Sequence, residues 1–160
     1  MHTTAGSVTG VHDEAFEIVT WSAAPPEAVF GLLADIEGWK RWAGPLIHDS
    51  TIEVPGHTDR VGVGAIRRLG WGRASSREEI VVHDPPRHHA YILHASFPLR
   101  GYRADVELFE AGRGGTVIRW RGSFRPVVPG TGGILRRYMS ATVAGFARRL
   151  ARAAASPASA

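Results

Sequence analysis

Residues 130–155 read GTGGILRRYMSATVAGFARRLARAAA, and this stretch decides the fold. From Ile134 through Arg152 it holds no proline and a single glycine, Gly145. Alanine, leucine and arginine favour a helix there, and Thr131 stands where an N-cap is expected. At about 100° per residue, Leu135, Met139, Thr142, Val143, Phe146 and Leu150 share one narrow face. Arg137, Arg148 and Arg152 lie well away from it. A long helix with one apolar stripe, closing a chain rich in strands, needs a concave sheet to lie in. The space between them is either filled by side chains or left open for a ligand.

Upstream of this helix the apolar period is two. Candidate strands are 46–54, 60–69, 74–83, 88–97, 101–110 and 115–125. Pro55-Gly56, Gly70-Trp71-Gly72, Asp84-Pro85-Pro86, Pro98 to Gly101 and Gly112 to Gly114 separate them. Spacers this short make hairpins, so the strands form an antiparallel meander. A further strand, Ala15 to Trp21, precedes two helices. The first starts at Pro25 or Pro26, where a missing N–H costs nothing, and runs to about Ala34. The second is Ile36 to Trp42, ended by Gly44-Pro45.

The last hairpin sets its own register. Glu110 opposite Thr116 places Asp105 against Arg121 and Glu107 against Arg119 on the outer face. The inner face then pairs Tyr102 with Phe124, Ala104 with Gly122, Val106 with Trp120 and Leu108 with Ile118. A slip of one residue destroys both patterns. Ala104 and Gly122 together leave a dip, which either receives Phe146 from the final helix or forms a cavity wall.

At 160 residues with 44% apolar content the chain makes one domain with a full core. The expected layout is a flexible arm at 1–10, a single domain at 11–155 and a flexible tail at 156–160. Without cysteine there is no disulfide, thiolate metal site or cysteine nucleophile. No apolar run is long enough for a membrane span, and the first ten residues lack the basic and apolar regions of a signal peptide. A cytoplasmic location without membrane insertion is the default reading. The net charge is +4 and Lys40 is the only lysine. That arginine-borne charge is read as a solvated basic surface rather than a nucleic-acid footprint.

Phe16-Glu17-Ile18, Ala24-Pro25, Val29-Phe30, Leu33-Ala34-Asp35, Trp39 and Trp42 resemble the start of the START/Bet v 1-like (SRPBCC) superfamily. Asp84-Pro85-Pro86-Arg87 with Tyr91, and Gly115-Thr116-Val117-Ile118-Arg119-Trp120, resemble its mid-chain turn and last strand. The likeness spans roughly residues 15–152 and is nearest to bacterial polyketide cyclase/dehydrase-like members. It implies an α+β helix-grip fold: a curved seven-stranded antiparallel sheet around the long C-terminal helix, with two short helices after the first strand. It also implies a hydrophobic ligand between sheet and helix.

Strand parity points Arg67 and Glu78 inward, meeting diagonally. They are read either as a salt bridge at the cavity mouth or as working groups. In the second case Arg67 holds a carboxylate or enolate and Glu78 is a general base, with Tyr91 as a proton donor. Tyr91, Leu93, Tyr102, Ala104, Val106, Trp120 and Gly122 are the candidate sheet-side lining. Leu135, Met139, Thr142 and Phe146 are the candidate helix-side lining. Trp39 and Trp42, with Pro45, pack over one end of the sheet, a region that the resemblance implies borders the ligand entrance, and Trp71 sits in a glycine turn, exposed near a rim. His83, His88 and His89 flank the Asp84-Pro85-Pro86 turn and are read as solvated, and His94 as outward-facing. No metal or cofactor is expected.

Three functions fit these residues. One is binding or transport of a small hydrophobic molecule, such as a lipid, polyketide or aromatic metabolite. Another is a cyclase or dehydratase using the same cavity through Arg67, Glu78 and Tyr91. The third is an interaction module docking through Arg136, Arg137, Arg148, Arg149 and Arg152. The oligomeric state is left open.

Overall fold

A computed structural model describes residues 12–94 and 98–156. The expected arm at 1–10, residues 95–97 of one expected strand, and 157–160 of the expected tail lie outside the described residues. In chain order the elements are β1 (Glu14–Ser22), α1 (Pro26–Ala34), a 3-10 turn (Ile36–Gly38) and α2 (Trp39–Trp42). Then come β2 (Asp49–Val54), β3 (Ile66–Trp71), β4 (Ala74–Asp84), β5 (His88–His94), β6 (Leu99–Glu110), β7 (Thr116–Pro126) and α3 (Gly132–Ala155). The sheet is seven-stranded and antiparallel in the order β1-β7-β6-β5-β4-β3-β2, so β1 and β2 are its edges. This is the α+β helix-grip arrangement.

Local chemistry accounts for the helical corner. Pro26 opens α1 in its first turn. Asp35 accepts a hydrogen bond from the Gly38 N–H at 3.1 Å, which tightens the next turn to 3-10 geometry. The expected second helix, Ile36 to Trp42, is therefore that turn followed by a single α-helical turn. Thr131 does not cap α3: its hydroxyl donates backward to the Val128 carbonyl at 2.7 Å.

The strand expected at 60–69 is displaced. Residues 55–65 form an irregular loop and β3 begins at Ile66, so the alternation of Val61, Val63 and Ala65 is not strand alternation. Trp71 is the last residue of β3 rather than part of the turn. It pairs with Ala74 across a two-residue turn, Gly72-Arg73. Gly70 has φ +135°, and a Cβ there would lie 2.6 Å from the Ala74 carbonyl oxygen, so the hairpin requires glycine.

The β6–β7 register is as the hairpin reads, from Ala104 opposite Gly122 to Glu110 opposite Thr116. A shift between Arg100 and Arg103 takes Tyr102 and Phe124 out of that ladder. Further shifts fall between Ile52 and Val54 and between Ile80 and Val82, and bulges of this kind bend a sheet. Of the two expected outer ion pairs, Glu107 with Arg119 forms, while Asp105 and Arg121 face each other without pairing. Arg119 and Arg121 both reach Glu107 at 2.8 Å, while Asp105 is taken by Arg103 and His88.

The helix lies along β1, with Arg136 reaching Glu14 at 3.3 Å near its start. Its fully buried residues are Gly132, Val143, Ala147, Leu150 and Ala151. Ser22 donates to the Ala151 carbonyl and Thr116 to the Ala24 carbonyl, both at 2.7 Å and both buried. The first bond fixes the C-terminal half of α3 beside β1, and the second ties β7 to the segment leading into α1. Leu135, Met139, Thr142 and Phe146 are only half-buried, because the N-terminal half spans the opening of the curved sheet.

Candidate functional site

The dip in the inner face is filled from the side. Gly122 lies opposite Phe16 of β1, and a Cβ on Gly122 would come within 2.3 Å of the Phe16 ring. Phe16, not Phe146, occupies the space, and neither Ala104 nor Gly122 borders the cavity. Two shallow grooves, of about 520 and 690 Å³, flank Phe16 and Glu17 on the outside of the grip. Charged side chains such as Arg121 and Arg136 line them, so they offer no enclosed apolar site.

A half-open, largely apolar cavity lies between the N-terminal half of α3 and strands β3 to β6, with a volume of about 410 Å³. Tyr91, Leu93 and Tyr102 contribute from the sheet, and Met139, Thr142 and Phe146 from the helix. These six of the expected lining residues come together. Ala104, Val106 and Trp120 are fully buried behind the wall, Gly122 is under Phe16, and Leu135 lies off the cavity. Sequence reasoning missed Leu69, Ala74 and Ser76 on β3 and β4, and Tyr138 and Val143 on α3. It also missed Leu46 and Ile47 before β2, while Trp39 and Pro45, read as bordering a ligand entrance, and Trp71, read as exposed near a rim, do line the cavity. Leu69 has the strand parity of Arg67, so that signal was legible. Tyr138 was not, because it depends on the tilt of α3.

Arg67 and Glu78 are direct cross-strand partners rather than diagonal ones. Arg67 Nε donates to Glu78 Oε2 at 2.9 Å, and Nη2 lies 2.7 Å from the same oxygen without hydrogen-bond alignment. Ser76 donates to the other carboxylate oxygen at 3.1 Å. The guanidinium also lies 4.4 Å from the Trp39 ring centroid and 4.8 Å from that of Tyr91. The Arg67 side chain has 0% exposure and does not line the cavity, whereas Glu78 does. The pair is thus a buried strut with Glu78 in the cavity wall and Arg67 behind it, not a bridge at the mouth.

The tyrosines are set by the same burial. Desolvation pushes the Tyr91 hydroxyl pKa well above its ordinary value, with Tyr102 and Glu78 adding to the rise and Arg67 and Trp120 opposing it. Tyr102 is raised for the same first reason, with Glu78 adding and Tyr91 opposing. Both are neutral hydrogen-bonding groups rather than phenolate bases at physiological pH.

His89 corrects another expectation. It is fully buried, and neither ring nitrogen has a partner among the described residues. Its ring meets Phe30 and His83 edge-on at 5.9 and 5.8 Å. Burial pushes its pKa well below the ordinary value, and the positive charge of Arg67 adds to the effect. His94 faces outward, as read, with Nε2 2.8 Å from Glu79. Among the described residues no group of three His, Asp or Glu side chains could hold a metal ion. No described helix is long and apolar enough to cross a membrane.

A curved sheet gripping a C-terminal helix, with an apolar cavity under the N-terminal half of that helix, defines a START/Bet v 1-like protein. Residues 15–155 match the family described as polyketide cyclase / dehydrase and lipid transport, and the chain belongs to that family. It matches none of the curated proteins. Among solved structures it is similar to a START superfamily protein from Mycobacterium smegmatis, at 14% identity and TM-score 0.74, covering 88% of this chain and 97% of that one. The protein XoxI from Bacillus cereus is similar at 19% identity and TM-score 0.69, over 88% of this chain and 94% of its own. The di-domain ARO/CYC protein StfQ of the steffimycin biosynthetic pathway is similar at 17% identity and TM-score 0.69. This last match covers 88% of the present chain and 50% of StfQ. At these identities the likeness is one of fold.

Proposed function

We propose that the chain binds a small hydrophobic molecule in the cavity between α3 and strands β3 to β6. The observation that carries this reading is an apolar hollow of about 410 Å³ with two buried, neutral tyrosines in its wall. The ligand body would rest on Trp39, Leu69, Leu93, Met139 and Phe146, at about 25 cal/mol per Å² of apolar surface before the costs of association. Tyr91 and Tyr102 would supply hydrogen bonds to an oxygen of the ligand.

Carriage is favoured over catalysis by the state of the charged pair. Arg67 is walled off from the cavity and cannot clamp a carboxylate or enolate there. Both Glu78 oxygens already accept hydrogen bonds, from Arg67 and Ser76, which makes Glu78 a poor general base. A cyclase or dehydratase in this cavity would rely on Tyr91 or Tyr102 as proton donor to an enolising carbonyl.

Native mass spectrometry of the purified protein, with extraction of any adduct, and titration with the neutral fluorophore N-phenylnaphthylamine test the reading. A discrete apolar adduct, or saturable fluorophore uptake, is expected. A clean mass together with no saturable uptake would sink it.

A further inference from the structure

We propose that the mouth of this cavity is a docking surface for an anionic lipid bilayer, an inference that rests on the cavity being a ligand site. Three segments meet at the mouth: residues 43–48, the β3–β4 hairpin and the first turns of α3. Each presents a large apolar side chain to water. Trp71 is 69% exposed, Tyr138 62% and Leu46 56%, and all three line the cavity. Ile134, one helical turn before Tyr138, is 71% exposed. The exposed apolar surface is therefore continuous with the cavity wall.

Exposed side chains of this size in one place mark an interaction surface rather than scattered surface apolarity. Trp and Tyr suit the headgroup region of a bilayer, each having an apolar body and a polar tip. The His48 ring stacks on Trp71 at 5.3 Å with 17° between the planes, so the indole is held outward before any contact.

Charge selects the partner. Residues 43–48, 69–76 and the whole of α3 contain no aspartate or glutamate. Arg73 and Arg137 adjoin Trp71 and Tyr138 and are exposed. Arg68 has Glu53 and Arg136 has Glu14, but Arg73 and Arg137 have no ion-pair partner among the described residues. The first acid beyond these segments is Asp49, which shares a groove with Arg68 and Arg73. Arg137 likewise borders the groove that holds Glu17, but forms no ion pair with it. A rim whose own segments are apolar and basic complements lipid with negative headgroups. Nucleic acid would match the arginines but not the exposed leucine and isoleucine. A second exposed row, Trp21 with Val19 and Phe109, lies on the sheet's outer face away from any cavity. There the Trp21 indole already donates to Gly114 and Arg119 covers Phe109.

Flotation with vesicles is the test, using pure phosphatidylcholine and an equal mixture of phosphatidylcholine and phosphatidylglycerol. The chain is expected to float with the mixed vesicles, more weakly with pure phosphatidylcholine, and less as salt rises. Arg73→Glu with Arg137→Glu should lower binding to the mixed vesicles by at least about twentyfold, at about fivefold per lost arginine. Neither residue lines the cavity, so N-phenylnaphthylamine uptake in solution should be unchanged. Trp21→Ser, and Arg148→Glu with Arg152→Glu, should float like the parent. No flotation with mixed vesicles overturns the proposal, as does flotation insensitive to the Arg73 and Arg137 changes. Loss confined to the Arg148/Arg152 variant overturns it too, as does release of the protein from vesicles by an equal phosphate concentration of duplex DNA. Fluorophore uptake without flotation leaves the cavity reading intact and removes only the docking surface. Flotation with neither uptake nor a bound adduct supports the surface and removes the cavity reading.

Discussion

Arg67 and Glu78 face each other directly across the β3–β4 ladder, the arginine with no exposure and the carboxylate at 10%. The pair is buried beside Trp39 and Tyr91, so its removal in halves leaves an uncompensated charge. Arg67→Ala is expected to cost about 3–5 kcal/mol in urea unfolding. The paired change Arg67→Met with Glu78→Leu is expected within about 1–2 kcal/mol of the parent, since two apolar groups replace two desolvated ions. A cost below about 1 kcal/mol for Arg67→Ala would show that the strut carries little.

Gly122 and Phe16 make a second test of packing. Gly122→Ala drives a methyl into the Phe16 ring and is expected to destabilise by about 1–3 kcal/mol through overpacking. Phe16→Leu in the same chain should recover part of that loss. Equal stability of Gly122→Ala and the parent would mean that the ring is not seated there.

His89 gives stability a pH dependence. Its folded pKa is depressed from the ordinary 6.5, so below that value the unfolded chain takes up a proton that the folded chain refuses. Its contribution is complete above pH 6.5 and is lost as pH falls toward the folded value. The slope is at most about 1.4 kcal/mol per pH unit. Urea unfolding from pH 7.5 down to 5 (roughly the range where an unfolded histidine gains its charge) should show this slope, and His89→Leu should flatten it. An unchanged slope in His89→Leu would assign the acid sensitivity to other groups.

The cavity predicts its own blockade. Leu93→Trp or Met139→Trp should fill the hollow and weaken N-phenylnaphthylamine uptake by about tenfold or more, about 1.4 kcal/mol, with thermal stability close to the parent. Unchanged uptake in both variants would move the fluorophore site elsewhere. Tyr91→Phe keeps the ring and removes the hydroxyl. For an oxygen-bearing ligand it is expected to cost about 0.5–1.5 kcal/mol of affinity, read by calorimetry.

Much of the fold was legible because its signals are local. The period of two, the short Gly/Pro spacers and the paired pattern of residues 102–110 with 116–124 set the meander and its register. Prolines 25 and 26 set the start of α1. Where the reading failed, a non-local contact decided. Val61, Val63 and Ala65 alternate like a strand, yet the chain there forms hydrogen bonds within a loop, such as His57 N–H to the Val63 carbonyl at 2.9 Å. Polar residues beside a proline turn suggested wet histidines, but His89 shares Tyr91's inward face and lies under Phe30.

The sequence by itself determined the elements, the inward parity of Arg67, Glu78, Tyr91 and Leu93, and the existence of a gripping helix. These depend on residue period and turn chemistry, which act over a few residues. The tertiary structure alone decided which hollow stays open. Phe16 closes the dip at Gly122 from a strand over a hundred residues away in the chain, and Ser22 pins the far end of α3 through Ala151. The helix is held along β1 from Arg136 against Glu14 to Ala151 against Ser22, and the cavity lies on its other flank, where no side chain reaches across.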